Sequence, residues 1–366
     1  MGPDTFAVDR DYLRQRLLEM LAIPSPTGFT NELSRYVCAE LDRLGIGYQL
    51  TRRGTIVARI HGADRSRSRA VVNHLDTIGA AVSELKSNGR LGLTPVGTWS
   101  SRFAEGGRVT VFARERAYRG QVLPVLASGH AFDHRIDELP VDWREVEVRL
   151  NARCDDHAAL EMLGIRTGDF VAFDADPELS ADGYICARHL DNKAGASALL
   201  TALKELRERE APAAIDFLAI FTITEEVGTG ASASLSQDVV EFVAIDVGPV
   251  APGQNAKETG VTLCAQDTSG PFDLHMLRRL KSLCRAFGIE YHIDLFRYYY
   301  SDVNSAVKAG NDVRDALIAF GTDATHGYER THLSSLESVA RLLVAYAASE
   351  PVQPRRLPGV ERRECG

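Results

Sequence analysis

Apolar and polar positions follow two different textures along this chain, and the change of texture divides it. Over residues 9–21, Leu13, Leu17, Leu18 and Leu21 share one side of a 3.6-residue repeat, which predicts an amphipathic helix. The segment IPSPTG at 23–28 forces an irregular link, and Thr30 is expected to cap a second helix running to about Leu44. Leu33, Val37, Cys38 and Leu41 mark its apolar side, and Gly45 and Gly47 close it. Strands are expected at 48–51 and 55–60. ADRSRSR at 63–69 reads as a solvated loop, and AVVN at 70–73 as a short buried strand.

After Gly79 the texture changes. From about 80 to 181 short runs are punctuated by turns: LGLTPVG, RVTVFA, GQVLPVLA, EVEVRL, DFVAF and, just beyond, GYICA. HAALEMLG at 157–164 is the single short helical exception. This spacing predicts a small β-barrel or sandwich inserted into the first domain. With Asp191 the first texture returns. A strong helix pattern covers 192–207, and IDFLAIFTI, EFVAID and ALIAFG are near-continuous apolar runs, as in a sheet covered on both faces. A helix over 272–287 ends at Gly288, IDLFRYYYSD leads to a further edge, and the last helix follows His332, with Ser334 and Glu337 as its capping box. The predicted fold is α/β: a central mixed sheet flanked by helices, formed by 1–79 and 182–350 and interrupted by a β-barrel domain over 80–181. The proline- and arginine-rich segment 351–366, which carries Cys365, is expected to be disordered.

Composition narrows the function classes. At 366 residues two domains are expected. The formal charge of -8 and the lack of a basic domain argue against a nucleic-acid partner. Asp4, Asp9, Arg10 and Asp11 break up the start of the chain, so no signal peptide is expected. No apolar run approaches the ~20 residues that span a bilayer. The six cysteines form no CxxC pair and read as free thiols, which points to the cytoplasm.

Candidate chemistry gathers where apolar runs end. His74 and Asp76 follow AVVN, and Asp191 stands before the long helix pattern. Asp246 closes EFVAID, and His332 precedes the last helix. Glu225 and Glu226, directly after IDFLAIFTIT, are the sharpest local signal, because adjacent carboxylates at the rim of a buried strand are unfavourable without a cation. Open α/β sheets bring such strand ends together. The strong candidates are His74, Asp191, Glu226, Asp246 and His332, with Asp191 shared: two sets of three ligands for a pair of divalent ions, zinc above all, with cobalt or manganese suited to the same donors. Glu225 is then free to take a proton from an attacking water. His326 is the competitor of His332 for that rim position, and its other readings are a substrate contact or a loop cap. Asp302 reads as a supporting residue, and His189 as a supporting or loop residue.

The motifs HLD at 74–76, LDNKAG at 190–195, TEEVGTGA at 224–231, ID at 245–246, SD at 301–302 and the histidine at 332 resemble the glutamyl aminopeptidase family of dinuclear metallopeptidases, which includes tetrahedral aminopeptidases and proteins once called cellulase M. The resemblance covers nearly the whole chain. It implies a zinc-peptidase-like catalytic domain, with His74 binding one metal and Asp76 orienting it, Asp191 bridging, and Glu225 as general base. It further implies Glu226 and Asp246 as separate ligands and His332 as the last one. SGPFD, GNDVR, AIDVGPVAPGQN and GTDATHGYERTH look like the branch associated with bacterial N-acetylglutaminylglutamine amide, an osmoprotectant. The chain departs from ordinary members in having Glu329, Arg330 and Thr331 before His332, and in Asn311, Asp312 and Arg314, which are expected to recognise a polar or amidated substrate. The implied activity is hydrolysis of the N-terminal amide bond of short peptides. The alternatives are an N-acyl amino acid or dipeptide deacylase on the same centre and a non-catalytic assembly protein. Family resemblance also implies a homo-oligomer, with a tetrahedral dodecamer as the family's closed form, built through the inserted domain.

Overall fold

The computed structural model describes residues 6–353, so most of the expected disordered tail, Cys365 included, lies outside the described residues. A mixed 12-stranded sheet runs through the catalytic domain. At its centre four strands are mutually parallel: Ala213–Thr222, Gly62–His74, Val239–Val250 and Arg314–Asp323, in that spatial order. Ile56–Ile60 and Tyr48–Leu50 extend one side antiparallel. Beyond Arg314–Asp323 the sheet forks. One branch is Glu329–His332, Tyr184–Ala187 and Glu178–Leu179, and the other is Val261–Asp267 with Tyr291–Leu295.

The near-continuous apolar runs have the environment expected of them. Phe217, Ala219 and Phe221 pack into one core with the helices Arg10–Leu21, Asn31–Arg43, Leu190–Glu208, Leu274–Ala286 and Leu333–Ala348. Leu218 and Ile220 point to the other face, where Ala231, Phe296, Val303 and Ala306 cover them. Alternate residues of one strand thus serve two cores, and the polar groups these strands do bury, such as Asp216, are paired.

The insert is a closed antiparallel barrel in the order Gly79–Leu85, Leu91–Val96, Val146–Leu150, Ala117–Pro124, Arg108–Phe112, Phe170–Phe173. It has its own core, in which Val82, Leu93, Val111, Val122, Val148 and Val171 are buried. Closure leaves this sheet no free edge. The helix His157–Met162 interrupts it as the sequence pattern suggests, but it is not the single exception, since Gly129–Phe132 is a second short helix in the insert.

Several local expectations are corrected. ADRSRSR is the first half of the strand Gly62–His74 rather than a loop, because Arg69 is fully buried. Its guanidinium donates to the carbonyls of Tyr346 and Ser349 and stacks 4.3 Å from the Tyr346 ring. GYICA belongs to the large sheet, pairing with Glu329–His332. Thr30 precedes its helix without a side-chain cap, and the last helix is capped by His332, not by Ser334. At the end of the described chain, the Val352 N–H donates to the Glu241 carboxylate at 2.5 Å, holding the backbone there against the catalytic domain. The five described cysteines are free, and no helix among the described residues is long and apolar enough to cross a membrane.

Candidate metal centre

The site is built at the C-terminal ends of the parallel strands. Val72 lies opposite Ala244 across the ladder. Two residues further along each strand, on the same face, come His74 and Asp246, which therefore stand side by side. Thr222 pairs with His74 on the other side, and the chain leaves that strand into the turn that carries Glu225 and Glu226. Asp191 enters from the helix Leu190–Glu208, in extended backbone (φ -73, ψ 104) just before the regular turns begin. The Asp191–Asn192 peptide is cis. Asn192 ties this helix entrance to both ligand strands. Its Nδ2 donates to the Ile245 carbonyl at 2.8 Å, and its own carbonyl accepts from Asn73 Nδ2 at 3.0 Å. Gly195 is required here, since a Cβ would fall 2.2 Å from Asn192 Oδ1 and 2.6 Å from Asn73 Nδ2.

Two groups of donors result. His74, Asp191 and Asp246 form one, and Asp191, Glu226 and His326 the other, each with ligand atoms within 4.8 Å of one another. His74 Nε2 lies 3.1 Å from Asp191 Oδ1, 3.8 Å from Glu225 Oε2 and 3.9 Å from Asp246 Oδ1. His326 Nε2 lies 3.6 Å from Asp191 Oδ2 and 3.7 Å from Glu226 Oε2. His74 Nε2 and Asp191 Oδ1 are buried yet have no hydrogen-bond partner. Buried polar atoms are almost always satisfied, so this convergence fits a pair of cations better than a protein-only network.

The electrostatics agree. Burial, followed by the charge of Asp191, pushes both Glu226 and Asp246 up to about 8. Burial also lifts Glu225 well above the ordinary range, where His74 lowers it and Asp246 and Asp302 raise it. For His326, burial opposes the charged ring, but the neighbouring carboxylates of Asp191 and Glu226 outweigh it, giving about 10. Several carboxylates that cannot all ionise alone are what a cation relieves.

Asp76 acts differently from the expected orienting carboxylate. His74 Nδ1 meets the Asp76 backbone carbonyl at 2.8 Å, while the nearest Asp76 carboxylate oxygen is 3.7 Å away. That carboxylate instead accepts the N–H groups of Glu225 (3.1 Å) and Glu226 (3.3 Å) and the Thr27 hydroxyl (2.7 Å), so it sets the turn that presents the paired glutamates. Asp302 holds the far end of the same loop, accepting from Ala231 N–H at 2.8 Å and from the Thr222 hydroxyl at 2.5 Å. Gly230 leaves room for it: a Cβ there would sit 1.9 Å from Asp302 Oδ1.

His332 is not brought to the centre. Its Nδ1 accepts from Ser334 N–H and caps the last helix, while its Nε2–H donates to the Asp182 carbonyl at 2.7 Å, so both ring nitrogens are engaged away from the centre. His326 takes its place. The parallel strand Arg314–Asp323 runs on past Ala319, which pairs with Asp246, and the loop after it brings His326, three residues beyond its end and in left-handed backbone (φ 64), back to the centre. His332 lies on the antiparallel return strand, which carries it away from the rim. His189 supports the barrel junction, with Nε2 on the Phe173 carbonyl at 3.0 Å. The polar residues expected to read substrate are also elsewhere. Asn311 Nδ2 donates to the Ala306 carbonyl, and Arg314 pairs with Asp273 at 2.7 Å. Arg314 opens the strand whose other end faces the centre. Arg330 pairs with Glu258.

Across residues 54–342 the sequence matches the M42 glutamyl aminopeptidase family. The chain belongs to that family. It is a metallopeptidase with two donor groups sharing Asp191. The Bacillus subtilis (strain 168) protein YhfE is 35% identical over 337 residues, 91% of this chain and 96% of its own. The glutamyl aminopeptidase of Lactococcus lactis subsp. cremoris (strain MG1363) is 26% identical over 65% of this chain and 67% of its own. Among solved structures, aminopeptidase APDkam598 from Desulfurococcus kamchatkensis superposes with a TM-score of 0.82 at 22% identity, covering 92% of this chain and 95% of its own. The TET1 peptidase of Pyrococcus horikoshii, which assembles into a tetrahedron or a large octahedral shell, gives 0.80 at 21% identity over 92% of this chain and 99% of its own.

Proposed function

We propose that this enzyme removes the N-terminal residue of short peptides, using two divalent ions, zinc in the first instance, with cobalt or manganese suited to the same donors. The observation that carries the reading is the pair of donor groups sharing Asp191, with Glu225 beside them and outside both. His74 and Asp246 would hold one ion, Glu226 and His326 the other, and Asp191 both. When bound, such ions polarise the scissile carbonyl and acidify water. Glu225 takes a proton from the attacking water as its oxygen bonds to the carbonyl carbon, then delivers that proton to the amine nitrogen as the C–N bond breaks. Asp76 keeps Glu225 in reach by holding its N–H. Self-assembly in the manner of the TET1 peptidase, and service in osmoprotectant dipeptide metabolism, extend the proposal. The second rests only on local sequence similarity, since Asn311 and Arg314 lie away from the centre.

The test is a matched panel, after zinc or cobalt reconstitution: free dipeptides, their C-terminal amides, and N-acetylated forms of both, read by mass spectrometry. Release of the first residue from unblocked peptides is expected. Cleavage of acetylated amides alone overturns the aminopeptidase reading in favour of a deacylase. Glu225→Gln should retain both ions and lose about 10²–10⁴-fold in turnover.

A further inference from the structure

Glu329, marked in the sequence only as a departure before His332, touches neither donor group through a ligand atom, yet it lies between them. It is buried (1% exposed) at the start of the strand Glu329–His332. Its two oxygens are divided between two segments of backbone. Oε2 accepts the N–H of Asp191 at 3.1 Å, and Oε1 accepts the N–H of His326 at 3.0 Å and the Thr325 hydroxyl at 3.3 Å. One rigid carboxylate thus spans the shared aspartate and the histidine of the second group.

Both residues need that support. Asp191 is in extended backbone at a helix entrance, and His326 sits in left-handed backbone, which a residue with a Cβ adopts reluctantly. The loop 324–328 lacks the ladder pairing that fixes His74 and Asp246. We propose that Glu329 is the positioning residue of the second metal group, setting the separation of His326 from Asp191. The proposal rests on the two-ion reading above. It explains why an acid occupies this position. Glutamine would offer one acceptor oxygen, and its amide NH₂ would face a backbone N–H with no acceptor between them. Outer partners that orient ligands typically change metal affinity by about 10–100-fold when removed.

The test is cobalt titration of the metal-free full chain, followed by visible absorption, with kcat and KM measured at each metal occupancy. Wild type should take up two equivalents. In Glu329→Gln one equivalent should weaken by about 10–100-fold while the other stays within about twofold. Excess cobalt should restore much of kcat. His326→Ala should weaken the same equivalent, and adding Glu329→Gln to it should bring less further loss than Glu329→Gln brings to wild type, because part of the carboxylate's effect passes through His326. Should Glu329→Gln fail to fold, Glu329→Asp, which keeps the charge but shortens its reach to the two N–H groups, should weaken that equivalent in the same direction by a smaller factor. Unchanged affinities overturn the proposal, and so does equal weakening of both equivalents. Uptake of a single equivalent by wild type overturns the two-ion reading itself.

Discussion

The two halves of the metal centre are made in different ways. His74 ends one parallel strand and Asp246 lies within its neighbour, and the ladders that pair His74 with Thr222 and Asp246 with Ala319 hold both in a buried sheet. Glu226 and His326 sit on a turn and a loop, and carboxylates outside the donor groups hold them in place: Asp76 on the glutamate turn, Asp302 on the far end of its loop, Glu329 on His326. Exposure follows the same division, with the His74 side chain 2% exposed and that of His326 31%. A half borne by the sheet is precise because the fold is stable. A half borne by loops is precise only through specific hydrogen bonds, each of which a single substitution can remove.

Asp191 belongs to both halves, so Asp191→Ala should abolish the distinction. Metal analysis should find neither ion retained at stoichiometric metal, and activity should fall by more than the ~10²–10⁴-fold of losing one acid–base group. Retention of one full equivalent would show that Asp191 is not shared. The halves should separate on comparing His74→Ala with His326→Ala in the metal-free protein. Thermal unfolding should show His74→Ala less stable by about 1–3 kcal/mol and His326→Ala changed by less, since only the first opens a hole in packed structure. Equal losses would remove the comparison.

Metal-free stability should also depend on pH. Glu226 and Asp246, raised to about 8, keep protons in the folded state that the unfolded chain has released, so their contribution declines as pH rises. His326, raised to about 10, contributes stability that is full below its unfolded value and declines as pH rises toward the folded one. The melting temperature without metal should therefore fall between about pH 5 and about pH 7, above which buried Lys193, lowered to about 7, works in the opposite sense, and zinc should flatten the slope. A metal-free melting temperature that rises with pH over that range would contradict the crowding of carboxylates. The smallest effect is expected of His332→Ala: a lost helix cap of about 1 kcal/mol, with metal content and turnover unchanged.

Legibility in the sequence followed the same division. His74 and Asp246 end apolar runs whose length and β-branched content announce buried strands, and strand ends of an open α/β sheet form the site. The adjacent Glu225 and Glu226 declared themselves by their position after such a run. Position along the helix pattern also found Asp191. His326 and Glu329 gave no such sign, because nothing in THGYERTH says which histidine turns inward. Capping needs decided it: His332 is consumed by the start of the last helix, and a left-handed residue aims His326 at Asp191. Asp76 was found for the right site but with a different task, since its carboxylate serves backbone groups some 150 residues away in the chain.

By itself the sequence determined the two-texture architecture, the α/β sheet with a β-rich insert, and the chemistry of the site. These follow from periodicity and residue type, which are local properties. Only the tertiary structure decided that ADRSRSR is a strand with a buried arginine, that GYICA joins the large sheet, and that His326 rather than His332 faces the shared aspartate. Each of these turns on a partner distant in the chain: the Tyr346 carbonyl for Arg69, the Glu329 strand for GYICA, and the Glu329 carboxylate for His326. Local pattern carries no information about which distant hydrogen-bonding group will arrive, and these assignments depended on that arrival.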